Sequence, residues 1–93
     1  MGPQSKVRRK PQVMARELAE GEGGVLLHLE SGSYHGVNPV GLVIWELLED
    51  ERSVADLVNA VRDRVEDPPP ELESDVMDFL TGVEARDLLI VAE

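Results

Sequence analysis

The spacing of apolar residues changes at Asn38–Pro39, and this change limits the fold more than any other feature of the chain. Before it, Val25–Leu29 alternates like a strand, with Leu26 and His28 on one face and the other three residues on the opposite face. After it, apolar residues recur every three or four positions, as in amphipathic helices. Asn is a favoured N-cap, and Pro suits the first helical position because its missing N–H costs nothing there. The chain therefore changes from β to α structure at this point.

Short strands are predicted before this point and helices after it. The predicted strands are Val13–Leu18, Val25–Leu29 and Ser33–Val37, which short turns join into an antiparallel meander. The predicted helices start at Asn38–Pro39, at Ser53 and near Glu71, and Leu88–Val91 is a short last strand or an apolar end that docks on the core. A three-stranded antiparallel sheet followed by three helices and a short terminal strand predicts an α+β, winged helix-turn-helix domain.

Charge is distributed unevenly along the chain. The net charge is −10, yet every charged residue up to Arg16 is basic. Residues 1–12 combine a basic cluster with two prolines and few apolar residues, so we expect a flexible basic tail there and a folded domain at residues 13–93. The acidic remainder argues against a nucleic-acid partner. Since no apolar run approaches the roughly 18 residues of a membrane span, we expect a cytoplasmic protein without a membrane partner.

The sequence contains none of the patterns expected of a catalytic or metal site. Without cysteine, thiolate metal sites and Cys nucleophiles are excluded. His28 and His35 lie on consecutive predicted strands, but no third metal ligand is evident. Gly32–Gly36 lacks the Gly-x-Ser-x-Gly spacing of a nucleophile elbow. We therefore expect a binding protein that is not an enzyme and that needs no cofactor.

A series of short motifs from Val25 to Leu48 resembles the PqqD-like family, the peptide-recognition domains of pathways that modify ribosomally made peptides. The motifs are a Gly-x-Tyr turn at Gly32–Tyr34, the pair Val37–Asn38, a small residue at Gly41 and Ile-Trp-Glu-Leu-Leu at residues 44–48. Residues 53–58 and 75–80 also fit the family. As a short chain, this protein looks most similar to the stand-alone recognition proteins of lasso-peptide clusters.

The resemblance implies that the domain captures the leader segment of a precursor peptide. In the family, the leader adds as a strand to the third strand of the sheet and lies against the third helix. Lasso leaders carry a Tyr-x-x-Pro segment, and the domain presents the precursor to a separate leader peptidase and a cyclase. The alternatives are a peptide chaperone of the pyrroloquinoline quinone type, and a winged-helix adaptor or regulator that binds a basic protein partner.

The residues expected to contact a peptide belong to the predicted sheet and to the third helix. A strand edge with free N–H and C=O groups suits strand addition, and the acids beside the third helix should attract a basic leader. Leu80 is expected mainly inward, while Leu72, Val76 and Phe79 share a wall of the groove, and Tyr34 is interpreted as a pocket residue. The full predicted set is Leu27, Ser33, Tyr34, His35, Gly36, Val37, Leu72, Asp75, Val76, Phe79 and Leu80.

Overall fold

A computed structural model describes residues 1–92 and places two three-stranded antiparallel sheets around three helices. The elements are β1 (Lys6–Arg9), β2 (Val13–Glu17), β3 (Gly24–His28), β4 (Tyr34–Val37), α1 (Pro39–Leu47), β5 (Arg52–Ser53), α2 (Val54–Arg64), α3 (Leu72–Ala85) and β6 (Leu89–Ala92). This order confirms the predicted α+β class, with its small sheet, three helices and terminal strand. Within residues 1–92, none of the helices is both long and apolar enough to span a bilayer.

The predicted meander is the sheet β2-β3-β4. The alternation along β3 is as predicted, because Leu26 and His28 are buried whereas Leu27 is exposed. One glycine fixes how the sheet meets α1. Gly23 has φ +81°, and a Cβ there would lie 2.1 Å from the backbone oxygen of Val37. The turn before β3 can therefore approach the end of β4 only with glycine at this position.

The N-terminal residues belong to a second sheet, which corrects the prediction of a flexible tail. β1 pairs antiparallel with both β5 and β6, in the order β5-β1-β6. Val7 is fully buried, while Lys6 and Arg8 on either side of it are exposed. The strand was missed because it buries a single apolar side chain, and because its partners are more than 40 residues away in sequence. The folded domain therefore begins before residue 13.

Side-chain caps start two of the helices as the sequence predicts. The Asn38 Oδ1 accepts a hydrogen bond from the Gly41 N–H at 2.7 Å, and the Ser53 Oγ accepts one from the Asp56 N–H at 3.1 Å. After α3, Asp87 takes a left-handed conformation with φ 64° and forms an ion pair with the Lys10 ammonium. The two cap hydrogen bonds are local, whereas the ion pair joins the end of α3 to the segment after β1.

The core lies between the sheets and the helices, and each helix and each sheet contributes to it. Trp45 is at its centre and fully buried, with the Arg9 guanidinium 6.0 Å from the ring centroid. The other fully or nearly fully buried large side chains are Val7, Leu26, Ile44, Leu48, Leu57, Val61, Leu72, Val76, Leu80 and Leu88. α3 packs on this core through Leu72, Val76, Leu80 and Val83.

Candidate functional site

A groove runs along one face of α3, opposite β4 and the start of α1. It consists of two adjoining cavities of about 440 and 200 Å³, which share Asn38, Asp78 and Phe79. The larger lies between the start of α1 and the N-terminal half of α3, and Pro69 also lines it. The smaller lies between β4 and the C-terminal half of α3. We call the two cavities together the α3 groove.

The strand that borders the groove has an open edge. Within residues 1–92, β4 pairs with β3 alone. The His28 N–H donates to the Ser33 oxygen at 2.8 Å, and hydrogen-bonded pairs alternate from there along the two strands. His35 and Val37 therefore bond to β3, whereas the N–H and C=O groups of Tyr34 and Gly36 point to the free edge. These are the backbone groups that a further extended chain would use.

The free edge is unobstructed at Gly36. A Cβ placed on Gly36 would meet no atom of the described residues within 4 Å. Its neighbours on β4, His35 and Val37, turn their side chains into the smaller cavity. The structure therefore brings three of the predicted residues, His35, Gly36 and Val37, to the border of the groove.

Two predicted residues lie on the opposite face of the sheet. Tyr34 is directly paired with Leu27, and both face away from α3, where Met14 joins them in a shallow apolar surface. The Tyr34 side chain is 74% exposed. The structure therefore does not place Leu27 or Tyr34 in the α3 groove, although the backbone of Tyr34 borders it. Ser33 precedes β4, and its C=O is used within the hairpin by His28.

On α3, the structure separates groove residues from core residues. Phe79 is partly buried and lines both cavities, and Asp75 and Leu72 line the larger one, although Leu72 is itself almost fully buried. Val76 and Leu80 have no exposed surface. The prediction that Val76 forms part of the groove wall and that Leu80 contacts a peptide is therefore corrected, since both belong to the core. The apolar stripe of α3 is mainly its core-facing side.

A close approach between α1 and α3 shapes the larger cavity. A Cβ on Gly41 would lie 3.0 Å from the Phe79 Cε1 and 3.2 Å from the Asn38 Oδ1. Glycine at this position thus leaves room for the Phe79 ring beside α1. Asn38 has two roles, because the side chain that caps α1 also lines both cavities. The sequence indicated the cap and the small residue, but not their place in the groove.

Charged side chains lie at both ends of the groove. Asp75 and Asp78 are exposed beside the larger cavity, and Arg86 lies at the far end of the smaller one. Asp78 was predicted among the acids beside the third helix but not as a contact residue, and Arg86 was missing from the predicted site. The signal that could have found Arg86 is its spacing, since residues 78, 82 and 86 follow one another along one face of a helix. Among residues 1–92, no group of three or more His, Cys, Asp or Glu could hold a metal ion.

The comparisons with known proteins agree with this geometry. Residues 23–89 match the family model of coenzyme PQQ synthesis protein D (PqqD). The structure is similar to TbiB1 in complex with the TbiA(beta) leader peptide, with a TM-score of 0.70 and 32% identity over 88% of this chain and 93% of that one. It is also similar in fold to lasso peptide synthetase B1 complexed with the leader peptide, with a TM-score of 0.68 and 24% identity over 90% and 96% of the two chains. No curated protein sequence matches. The family match spans most of the chain, and the chain therefore belongs to the PqqD family.

Proposed function

We propose that this protein binds the leader segment of a ribosomally made precursor peptide, as an added strand at the free edge of β4 in the α3 groove. The observation that carries the proposal is the open edge at Tyr34 and Gly36 beside a groove that α3 lines. The membership of this protein in the PqqD family supports the proposal. So does its similarity to TbiB1, which was solved with a leader peptide.

The geometry explains how an extended peptide would be held. Its backbone would exchange hydrogen bonds with Tyr34 and Gly36, each worth about 0.5–1.5 kcal/mol net. Alternate side chains of the peptide would enter the groove and pack on Phe79. The larger cavity, about 440 Å³, is within the range of pockets that hold small ligands. It can therefore take bulky side chains such as those of a Tyr-x-x-Pro segment.

In this proposal the protein contributes binding and no catalytic step. It presents the bound precursor to a separate leader peptidase and a cyclase in biosynthesis of the lasso-peptide type. The match to the PqqD family model favours a second candidate, a peptide chaperone of the pyrroloquinoline quinone type. The two candidates share the groove and differ in the precursor that they bind.

Calorimetry with synthetic leader peptides tests the proposal. A leader with a Tyr-x-x-Pro segment should bind with a sub-micromolar Kd, which corresponds to about −8 kcal/mol or better. A scrambled peptide of the same composition should not bind. A precursor peptide of the pyrroloquinoline quinone type that bound more tightly than the lasso leader would favour the second candidate.

Variants of the groove locate the binding site. Phe79→Ala and Asp75→Lys should each weaken binding by roughly 1–3 kcal/mol, because one removes the central apolar contact and the other reverses a charge at the groove. Glu84→Lys is the matched control, because Glu84 lies half a turn around α3 from Asp75 and lines neither groove cavity. If both groove variants bind the leader as tightly as the control, the groove is not the binding site.

A further inference from the structure

The charge of the side chains that line the α3 groove changes sign along its length. Asp78 lines both cavities, whereas Arg86 lines the smaller cavity alone, at the end of α3. Asp78, Gly82 and Arg86 follow at intervals of four residues, so they lie along one face of the helix. A peptide in the groove therefore meets a carboxylate at one point and a guanidinium farther along.

The distance between the Asp78 carboxylate and the Arg86 guanidinium depends on the conformation of the arginine side chain, which folds back along α3 toward Gly82. The Arg86 Nη1 donates to the Gly82 oxygen at 3.4 Å, and a Cβ on Gly82 would lie 3.3 Å from the same nitrogen. The guanidinium is thus held at the level of Gly82, four residues from Asp78, or about 6 Å along the helix axis. Two residues of an extended chain span about 6.6 Å, and their side chains point to the same side.

Both charged groups are available to a ligand. Asp78 and Arg86 are exposed, and neither takes part in an ion pair within the described part of the chain. A peptide carrying only basic side chains would be attracted by Asp78 and repelled by Arg86 at distances shorter than the screening length of about 8 Å. The net charge of −10 attracts basic peptides from afar, but it does not remove this local repulsion.

From this geometry we infer that the α3 groove selects leaders carrying one basic and one acidic side chain two residues apart, on the side of the peptide that faces α3. The basic side chain lies over Asp78 and the acidic one over Arg86. The inference rests on the proposed function and replaces the expectation of a simply basic leader. The order of the two charges along the peptide also reports the direction in which it runs along α3.

Peptides that differ only in the order of two charges test the inference. Synthetic Tyr-x-x-Pro leaders carry Lys-x-Glu, Glu-x-Lys or Gln-x-Gln, and each pair is moved along the peptide one residue at a time so that every register is sampled. In one register, one charge order should bind about 3- to 30-fold more tightly than the reverse, as expected for two exposed ion pairs. Raising the salt concentration should reduce this preference.

A charge-exchange variant makes the test specific to the two side chains. The double variant Asp78→Lys with Arg86→Glu keeps the net charge at −10 and should reverse the preferred order. The control, Glu84→Lys with Arg62→Glu, also keeps the net charge and should retain the wild-type order. Arg62 lies on α2, where its guanidinium donates to the Asn59 side chain, and neither it nor Glu84 lines the groove.

The outcomes separate this inference from the proposed function. If all peptides bind but the two charge orders are equivalent in every register, the inference is overturned and leader binding stands. If no peptide binds, including the neutral one, both are overturned. Should circular dichroism show that the exchange variant is unfolded, Asp78→Asn and Arg86→Gln take its place. These neutral variants should weaken the preference without reversing it, and an unchanged preference would overturn the inference.

Discussion

Replacing Gly36 with proline tests strand addition at β4 through the backbone alone. The Gly36 N–H points to the free edge of the sheet and has no partner among residues 1–92. Proline removes this donor and puts its ring at the edge, where no described atom would lie within 4 Å of a Cβ. Edge strands tolerate proline, so the folded protein should accept the change. An incoming peptide should bind more weakly, because it can no longer accept a hydrogen bond from residue 36.

The size of the effect follows from the hydrogen bond that is lost. A typical hydrogen bond contributes about 0.5–1.5 kcal/mol net, but the cost rises to about 1–3 kcal/mol when a peptide carbonyl is left unsatisfied against the ring. We therefore expect Gly36→Pro to weaken leader binding by roughly 1–3 kcal/mol, or about 5- to 150-fold. Gly36→Ala is the matched control because it keeps the N–H. As a surface substitution in open space, it should change affinity by no more than about twofold.

Fluorescence polarisation with a labelled leader peptide measures both affinities, and thermal unfolding shows that both variants fold. The informative quantity is the ratio of the proline variant's Kd to that of the alanine variant. If Gly36→Pro is folded and binds the leader as tightly as Gly36→Ala does, the peptide does not pair with β4. The groove would then have to bind its ligand through side chains only.

Three further predictions concern two glycines beside the site and the ion pair that follows α3. Gly23→Ala should lower the free energy of unfolding by more than about 3 kcal/mol, because its Cβ would overlap a backbone oxygen of β4. Gly21→Ala has a similar positive φ but open space, and should cost about 1–2 kcal/mol, so equal losses in chemical denaturation would contradict the close approach. Gly41→Ala should displace the phenylalanine ring that lines both cavities and weaken leader binding by about 1 kcal/mol, and an unchanged Kd would show that the ring's position is unimportant. The hydrogen bond from Lys10 holds the pKa of Asp87 below its ordinary value of 3.8. The stability from this carboxylate is therefore present above that pH and is lost as the pH falls through the folded-state pKa. Unfolding measured from pH 6 to pH 2 should show the difference between wild type and Asp87→Asn disappearing in acid, whereas a constant difference would refute the assignment.

The features predicted correctly from the sequence are those that depend on near neighbours along the chain. Asn38 and Ser53 cap helices through hydrogen bonds to residues three positions away. The alternation in Val25–Leu29 separates two faces of one strand. Such patterns involve short-range geometry, so the residues themselves are sufficient to predict them.

Which face of the sheet the helices cover cannot be predicted from alternation. Alternation showed that Leu26 and Leu27 face opposite sides, but both are apolar, so the pattern does not say which side the helices cover. The structure buries Leu26 and exposes Leu27, and the paired Tyr34 is exposed with it. β1 is a second case. One buried valine between basic residues does not predict a strand, because its partner β6 lies at the far end of the chain.

The sequence by itself therefore determined the order of the meander strands and the three helices, the starts of two helices, the presence of an edge strand and the family resemblance. Only the tertiary structure decided that Val76 is core while Phe79 borders the groove, and that Arg86 lies along the groove beyond Asp78. The physical reason is that periodicity describes one element at a time. A groove is made by the surfaces that remain after several elements have packed against one another.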